Sequence, residues 1–155
     1  MIRPLLATVL FLCATLAQAE MTPRDGWSVT KTDKSYTALI DAVKSAAKAN
    51  RMGVVTQAGP TGAAKNRGIT IPGNRVIGLF NNVYAVNVLN LSTAAMIEAP
   101  IRVYVTENTD GTATLSYKTP STVFAPYVDE AGPDLATIAA ELDTVFAAIA
   151  ADATR

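Results

Sequence analysis

Two basic side chains lie in the most glycine-rich stretch of the chain, where an anion site is one interpretation. Residues 59–68 read GPTGAAKNRG, so Lys65 and Arg67 stand between glycines. Free backbone N–H groups beside such cations can cradle an anion. The spacing differs from the phosphate-binding P-loop, which needs four residues between its glycines and Ser or Thr after its lysine. A short helical turn between two strands explains the glycines equally well.

The sequence contains only parts of known catalytic motifs. Ser45 and Lys48 match the S-x-x-K pattern of penicillin-binding enzymes, but Ser45 lies about 180° around the predicted helix from the apolar Tyr36 and therefore points away from the core. Asp129 and Glu130 are adjacent carboxylates before a helix, where such pairs more often stabilise the helix start than share a proton. The sequence predicts no catalytic residue.

Missing residue types exclude whole classes of chemistry. The chain has no histidine and a single cysteine, Cys13. Ser-His-Asp and Cys-His nucleophilic systems, most zinc sites, haem and iron–sulfur clusters all need one of these residues. We therefore expect no metal, no cofactor and no enzymatic activity, and a hydrolase is only a distant third hypothesis.

The other candidate residues lie on two strands that a tight turn at Asp110-Gly111 joins into a hairpin. Along residues 101–106 and 112–118, apolar residues alternate with polar ones. Strand side chains alternate between faces, so such a sheet is covered by helices on one face and polar on the other. The predicted polar face carries Arg102, Tyr104, Thr114, Ser116 and Lys118.

Further strands and helices must position this hairpin. The alternation and turn signals predict three more strands, at residues 27–31, 54–58 and 75–80. Trp27 in the first strand is interpreted as a core or edge anchor, and Gly78 in the third marks a bulge or a close approach. Helical periodicity predicts a first helix capped by Asp33 and ending near Asn50, and a second over residues 83–98. A last helix starts after Gly132 and carries a continuous apolar stripe, for which the sheet is the expected target. Residues 120–126 are expected to be irregular or to form a short turn.

A leader precedes this domain. Arg3 is followed by the apolar residues 5–16 and by Ala17-Gln18-Ala19, the pattern of a secretory signal peptide cut before Glu20. The predicted organisation is a signal peptide over residues 1–19 and a single domain over residues 20–155, in the periplasm or secreted and not membrane-spanning after cleavage.

Charge is nearly balanced in total but uneven along the chain. Without Arg3 there are 12 basic and 13 acidic residues, giving 12 − 13 = −1, which offers no reason to expect a nucleic-acid partner. Residues 31–75 hold eight basic and two acidic residues, and residues 98–152 hold two basic and nine acidic. The asymmetry could direct an anion or self-association to the first half, or the fold could simply interleave these charges on its surface.

Several local motifs resemble those of a bacterial family named only as domain of unknown function 302. They are Phe80-Asn81, the A-x-x-x-G from Ala64 to Gly68, Ala99-Pro100-Ile101-Arg102, Asp110-Gly111, and Tyr117 followed by Pro120. The resemblance covers roughly residues 27–128. It implies an α+β fold similar to the TATA-binding protein, with helices packed on one face of a curved antiparallel sheet in the order β-α-β-β-α-β-β-α, and it implies no settled activity.

This chain departs from the family pattern at three places. Members of the family often carry Asp-His before the A-x-x-x-G, and Asn-Pro followed by Gly-Thr after the next strand. In this chain the corresponding positions are occupied by Gly59-Pro60, Asn81-Asn82 and Ala85-Val86, in that order. The comparison implies that any function of that polar cluster has been lost.

Two classes of function remain. The first is a binding module that holds a small apolar or anionic molecule, either between the sheet and the last helix or at Lys65 and Arg67. The second is an interaction protein, a homodimer that uses the polar face of Arg102, Tyr104, Thr114, Ser116 and Lys118.

Overall fold

Our computed structural model describes residues 20–155. These residues form a five-stranded antiparallel sheet on which helices pack. The predicted leader, residues 1–19, lies outside the described residues. The strand order is β1-β5-β4-β3-β2, so the predicted hairpin supplies two of the three interior strands. The strands are β1 (Trp27–Ser35), β2 (Gly53–Ala58), β3 (Asn74–Phe80), β4 (Ile101–Glu107) and β5 (Thr112–Lys118). The helices are α1 (Tyr36–Ala49), α2 (Thr61–Asn66), α3 (Asn82–Leu91), α4 (Pro120–Phe124), α5 (Val128–Ala131) and α6 (Pro133–Thr154).

The predicted alternation separates a covered face of the sheet from an open one. The apolar residues of the hairpin are buried in the hydrophobic core beneath the helices: Ile101, Val103, Val105, Ala113, Leu115 and Tyr117. Gly111 closes the turn at φ +82, a conformation that favours glycine. The α+β class and the one-sided packing predicted from the sequence are confirmed.

The first helix begins two residues later than predicted. β1 continues its pairing with β5 as far as Ser35, which lies opposite Thr112. Asp33 is therefore part of the strand and cannot cap the helix, so this prediction was wrong. Ser35 is the N-cap instead, and its Oγ accepts a hydrogen bond from the Ala38 N–H at 3.4 Å. The apolar stripe of α1 is buried as expected, and Ser45 is exposed.

The last helix was predicted correctly from Pro133 at its first position. Its stripe is buried mainly against α1 and α4 and reaches the sheet through Phe146, whose ring lies 5.6 Å from that of Tyr117 between centroids. Burying a side chain of this size contributes about 1.5–3 kcal/mol. The sheet is thus only one of several surfaces that this helix covers.

Two segments differ from their predicted structure. The helix expected over residues 83–98 ends at Leu91 and is followed by a 3₁₀ turn, Ala95–Glu98. Ser92 explains the break, because its Oγ accepts from the Ala95 N–H and donates to Glu130 Oε1 at 2.5 Å. Residues 120–126, expected to be irregular or to form a short turn, lie in α4 and in the 3₁₀ turn Ala125–Tyr127, and Thr119 caps α4 through its Oγ1.

Gly78 in β3 marks a close approach. A Cβ at this position would lie 2.2 Å from Thr56 Oγ1 and 2.8 Å from Pro100 Cγ. The β2–β3 register shifts at the facing residues, between Val54 and Thr56. The bulge or close approach predicted for this glycine is confirmed.

Gly78→Ala is expected to lower the free energy of unfolding by about 1–3 kcal/mol, because the methyl group must displace Pro100 or Thr56. Urea unfolding followed by circular dichroism measures the change. Gly62→Ala in α2 is the matched control, since a Cβ there meets nothing within 4 Å, and its stability should stay equal or rise by up to about 1 kcal/mol. Equal stabilities for the two variants would contradict the close approach.

Candidate functional site

The open face of the sheet is built from three rows of side chains that run across the strands. The pairing registers place the residues of each row side by side on β1, β5, β4 and β3. The first row is Trp27, Lys118, Arg102 and Gly78; the middle row is Val29, Ser116, Tyr104 and Val76; the third row is Lys31, Thr114, Thr106 and Asn74. Arg102 and Lys118 are placed by continuing the β4–β5 register one residue beyond Val103 and Tyr117.

A groove of about 500 Å³ lies over the first and middle rows. Its lining combines cationic, aromatic and aliphatic side chains, among them Trp27, Val76, Arg102, Tyr104 and Lys118. Three of the five candidate residues predicted from the sequence, Arg102, Tyr104 and Lys118, thus meet in one groove.

Two cations stand together at one end of this groove. Arg102 and Lys118 are exposed cross-strand neighbours, and within residues 20–155 neither forms an ion pair with a carboxylate. The Lys118 ammonium lies 5.8 Å from the centre of the Trp27 ring, and the Arg24 guanidinium lies 5.2 Å from the same ring. Both contacts are in the range of cation–π interactions. This end of the groove therefore concentrates positive charge around an aromatic surface.

A carboxylate also lines the groove, but it already has a hydrogen-bond partner. Glu98 Oε1 accepts from the hydroxyl of Tyr127 at 2.8 Å. This hydrogen bond is the main cause that raises the pKa of Tyr127 above its ordinary value. The charged side chains of the lining are Arg102, Lys118 and Glu98, so their sum is 2 − 1 = +1.

Tyr104 has an oriented hydroxyl group in the middle of the groove. Its Oη accepts a hydrogen bond from Asn74 Nδ2 at 2.5 Å. A hydroxyl that accepts from an amide keeps its own hydrogen to donate. Tyr104 can therefore donate to a polar atom of a bound molecule, and its ring lies beside Val76 in the same row.

The two small hydroxyl residues of the predicted polar face are buried. Thr114 and Ser116 each have 0% relative exposure. Thr114 donates to Asn108 Oδ1 at 2.9 Å, while Ser116 Oγ has no hydrogen-bond partner among the described residues. The expectation that both residues present hydroxyls on an exposed face was wrong, because the longer Val29 and Tyr104 flank Ser116 in its row.

The segment before β1 contributes to covering this face. Glu20 Oε2 accepts from the Lys31 ammonium at 2.5 Å, and Lys31 lies beside Thr114 in the third row. A second hollow, of about 100 Å³, is lined by Glu20 and Met21 together with Tyr104 and Thr106 of β4. The lead-in therefore crosses the sheet at the third row and leaves the first row open.

Lys65 and Arg67 do not join this groove. Both are exposed, Lys65 in α2 and Arg67 directly after it. The backbone N–H groups of Arg67, Gly68 and Ile69 donate to the carbonyls of Ala64 and Lys65 at 2.9–3.0 Å. The N–H groups at the end of this stretch are thus used by a helical turn, the other interpretation that the sequence allowed.

Space for a ligand beneath the last helix is small. The cavity there, between α3, α6 and the covered face of the sheet, measures about 30 Å³, roughly the volume of one water molecule. The groove on the open face, at about 500 Å³, has room for a molecule of ordinary metabolite size, and so does a more open hollow of about 460 Å³ beside Lys44 and Lys48.

Sequence reasoning missed several residues of the groove, among them Asn74 and Val76, and did not place Trp27 in it. Asn74 was left outside the third predicted strand, and Val76 was not singled out; both face the groove because β3 starts at Asn74 and pairs with β4. Trp27 was interpreted as a core or edge anchor. It lies on an edge strand, half-buried and on the open face, and its alternation with Lys31 was the signal that could have placed it there.

Ser116→Ala is expected to leave the free energy of unfolding unchanged or raise it by up to about 1 kcal/mol, because the lost hydroxyl has no partner. Thr114→Val removes an equally buried hydroxyl that is bonded to Asn108, and should cost about 1–2 kcal/mol. Chemical denaturation of both variants measures the difference. An equal loss in the two would show that Ser116 Oγ has a partner in solution, such as a bridging water.

Comparisons with known proteins agree with the fold. A family model described as "Domain of unknown function DUF302" matches residues 27–152. No curated protein matches the sequence significantly. The crystal structure of an uncharacterized conserved DUF302 protein from Bacillus stearothermophilus superposes with a TM-score of 0.74 at 20% identity, over 85% of this chain and 100% of that one.

Within residues 20–155, no helix has the length and apolar character needed to span a bilayer. The family model extends the resemblance predicted for residues 27–128 through the last helix, and the chain belongs to the DUF302 family.

Proposed function

We propose that this protein is a non-catalytic binding module for a small organic anion with an apolar body, held in the groove on the open face. The observation that supports it most directly is the pair of Arg102 and Lys118 on neighbouring strands. Neither cation has a carboxylate partner among the described residues, and both lie at the same end of one groove.

Like charges directly opposite each other on a sheet are destabilising by a few tenths of a kcal/mol up to about 1 kcal/mol. An anion between Arg102 and Lys118 would replace this repulsion by two charge-assisted hydrogen bonds. Such bonds are roughly twice as strong as neutral ones, and the planar guanidinium suits a carboxylate in particular. The arrangement is therefore better matched to an occupied groove than to an empty one.

The rest of the groove suits an apolar body with a polar group. Trp27 and Val76 offer apolar surface, and Tyr104 offers a hydroxyl hydrogen that Asn74 leaves free. The volume of about 500 Å³ lies within the range of known small-molecule sites. We infer a monocarboxylate whose chain or ring lies against Trp27.

Binding is proposed rather than catalysis because no nucleophile and base meet in this groove. The chain has no histidine, and Glu98 is held by Tyr127. The proposal retains the exported location predicted from the leader, and it makes Lys65 and Arg67 ordinary surface residues.

A fluorescence titration tests the proposal, since Trp27 is the single tryptophan of the sequence. Octanoate and 4-phenylbutyrate are expected to change its emission saturably, and their neutral amides should bind at least about tenfold more weakly because they lack the charge. Arg102→Gln should weaken carboxylate binding by about tenfold.

Lys65→Gln is the matched control, since it removes one positive charge from an exposed position outside the groove. Its titration should be that of the unaltered protein. Equal weakening by Lys65→Gln and Arg102→Gln would place the anion elsewhere, and no saturable change with any carboxylate would reject a site for this ligand class.

A further inference from the structure

The outer face of α3 carries exposed apolar side chains. Three residues spaced by three along the helix form a stripe: Val83, Val86 and Leu89, with relative exposures of 68%, 47% and 46%. Ile97, in the 3₁₀ turn that packs on α3, is 78% exposed. We call these four residues the α3 patch.

The segment that contains the α3 patch carries no charge. Between Arg75 and Glu98, residues 76–97 include no Asp, Glu, Lys or Arg, and the other exposed positions of α3 are Asn82, Asn87 and Asn90. Solvated helices normally carry charged residues on their outer face. Depletion of charge together with exposed apolar side chains is characteristic of the core of a protein–protein interface.

We propose that the α3 patch is the contact surface between two copies of this chain. A helix without charges meets no like-charge repulsion when it packs against itself. Asparagine amides contain both a donor and an acceptor, so they can pair across a two-fold axis with their own counterparts. A charged partner would find no complementary group on this helix.

The exposed face of α3 is best matched by a partner that is itself uncharged. The four residues of the α3 patch are 46–78% exposed, and exposed apolar side chains grouped on one face mark interaction sites. A standard interface buries roughly 800 Å² per partner, so a dimer formed through this helix also buries the flanking asparagines. A membrane surface is less well matched, because helices that lie on membranes carry Lys or Arg on their polar face, and α3 has neither.

Sedimentation equilibrium of the purified protein between about 1 and 200 µM tests the proposal. We expect a dimer at the upper concentrations. Val86→Asp places a charge beside its own copy across the two-fold axis and should weaken association by about a hundredfold or more. Circular dichroism and thermal unfolding must show that this variant is folded, which its exposed position predicts.

Ile69→Asp is the matched control. Ile69 is 44% exposed and precedes β3, whereas α3 follows the opposite end of that strand, so the dimer should persist. A protein that is monomeric at 200 µM overturns the proposal, as does a dimer that survives Val86→Asp or dissociates equally with Ile69→Asp. If Val86→Asp does not fold, Val86→Cys decides: after oxidation it should form a disulfide-linked dimer, and Ile69→Cys should not.

Discussion

The antiparallel pairing of β4 with β5 is the constraint on which the other features of this structure depend. These strands lie in the interior of the sheet, and their register places Val103 opposite Tyr117 and Val105 opposite Leu115. The same register brings Arg102 beside Lys118 on the other face. A slip of one residue would turn every core side chain to the open face. The hydrophobic core on one face therefore fixes the position of the cation pair on the other.

Features encoded by local residue patterns could be predicted from the sequence. The hairpin at Asp110-Gly111, the buried stripe of α1 and the start of α6 at Pro133 each depend on residues a few positions apart. The helix cap illustrates the limit of this reasoning. Asp33 and Ser35 are both good caps, and the choice between them is made by pairing with Thr112, far away in sequence.

The candidate site was predictable only in part, because burial on an open face depends on neighbours. Alternation correctly put Arg102, Tyr104 and Lys118 on one face, where long side chains reach the groove. The same rule put Thr114 and Ser116 there, but short side chains are covered by what flanks them. Lys65 and Arg67 lie outside the groove, and the N–H groups of Arg67, Gly68 and Ile69 close the helical turn of α2. Composition alone does not distinguish a helical turn from an anion cradle.

The distribution of charge gives independent support for a functional groove. Residues 98–152 hold nine acidic residues and two basic ones, and these two are Arg102 and Lys118. Cations that merely balanced the acidic half would form ion pairs with its carboxylates. Instead both lie in one row with Trp27 and form no ion pair among the described residues, and Glu98, which lines the same groove, is bonded to Tyr127. The anion site proposed here thus lies in the acidic half of the sequence rather than the basic half, since adjacency in the sheet, and not adjacency in the chain, determines where positive potential accumulates.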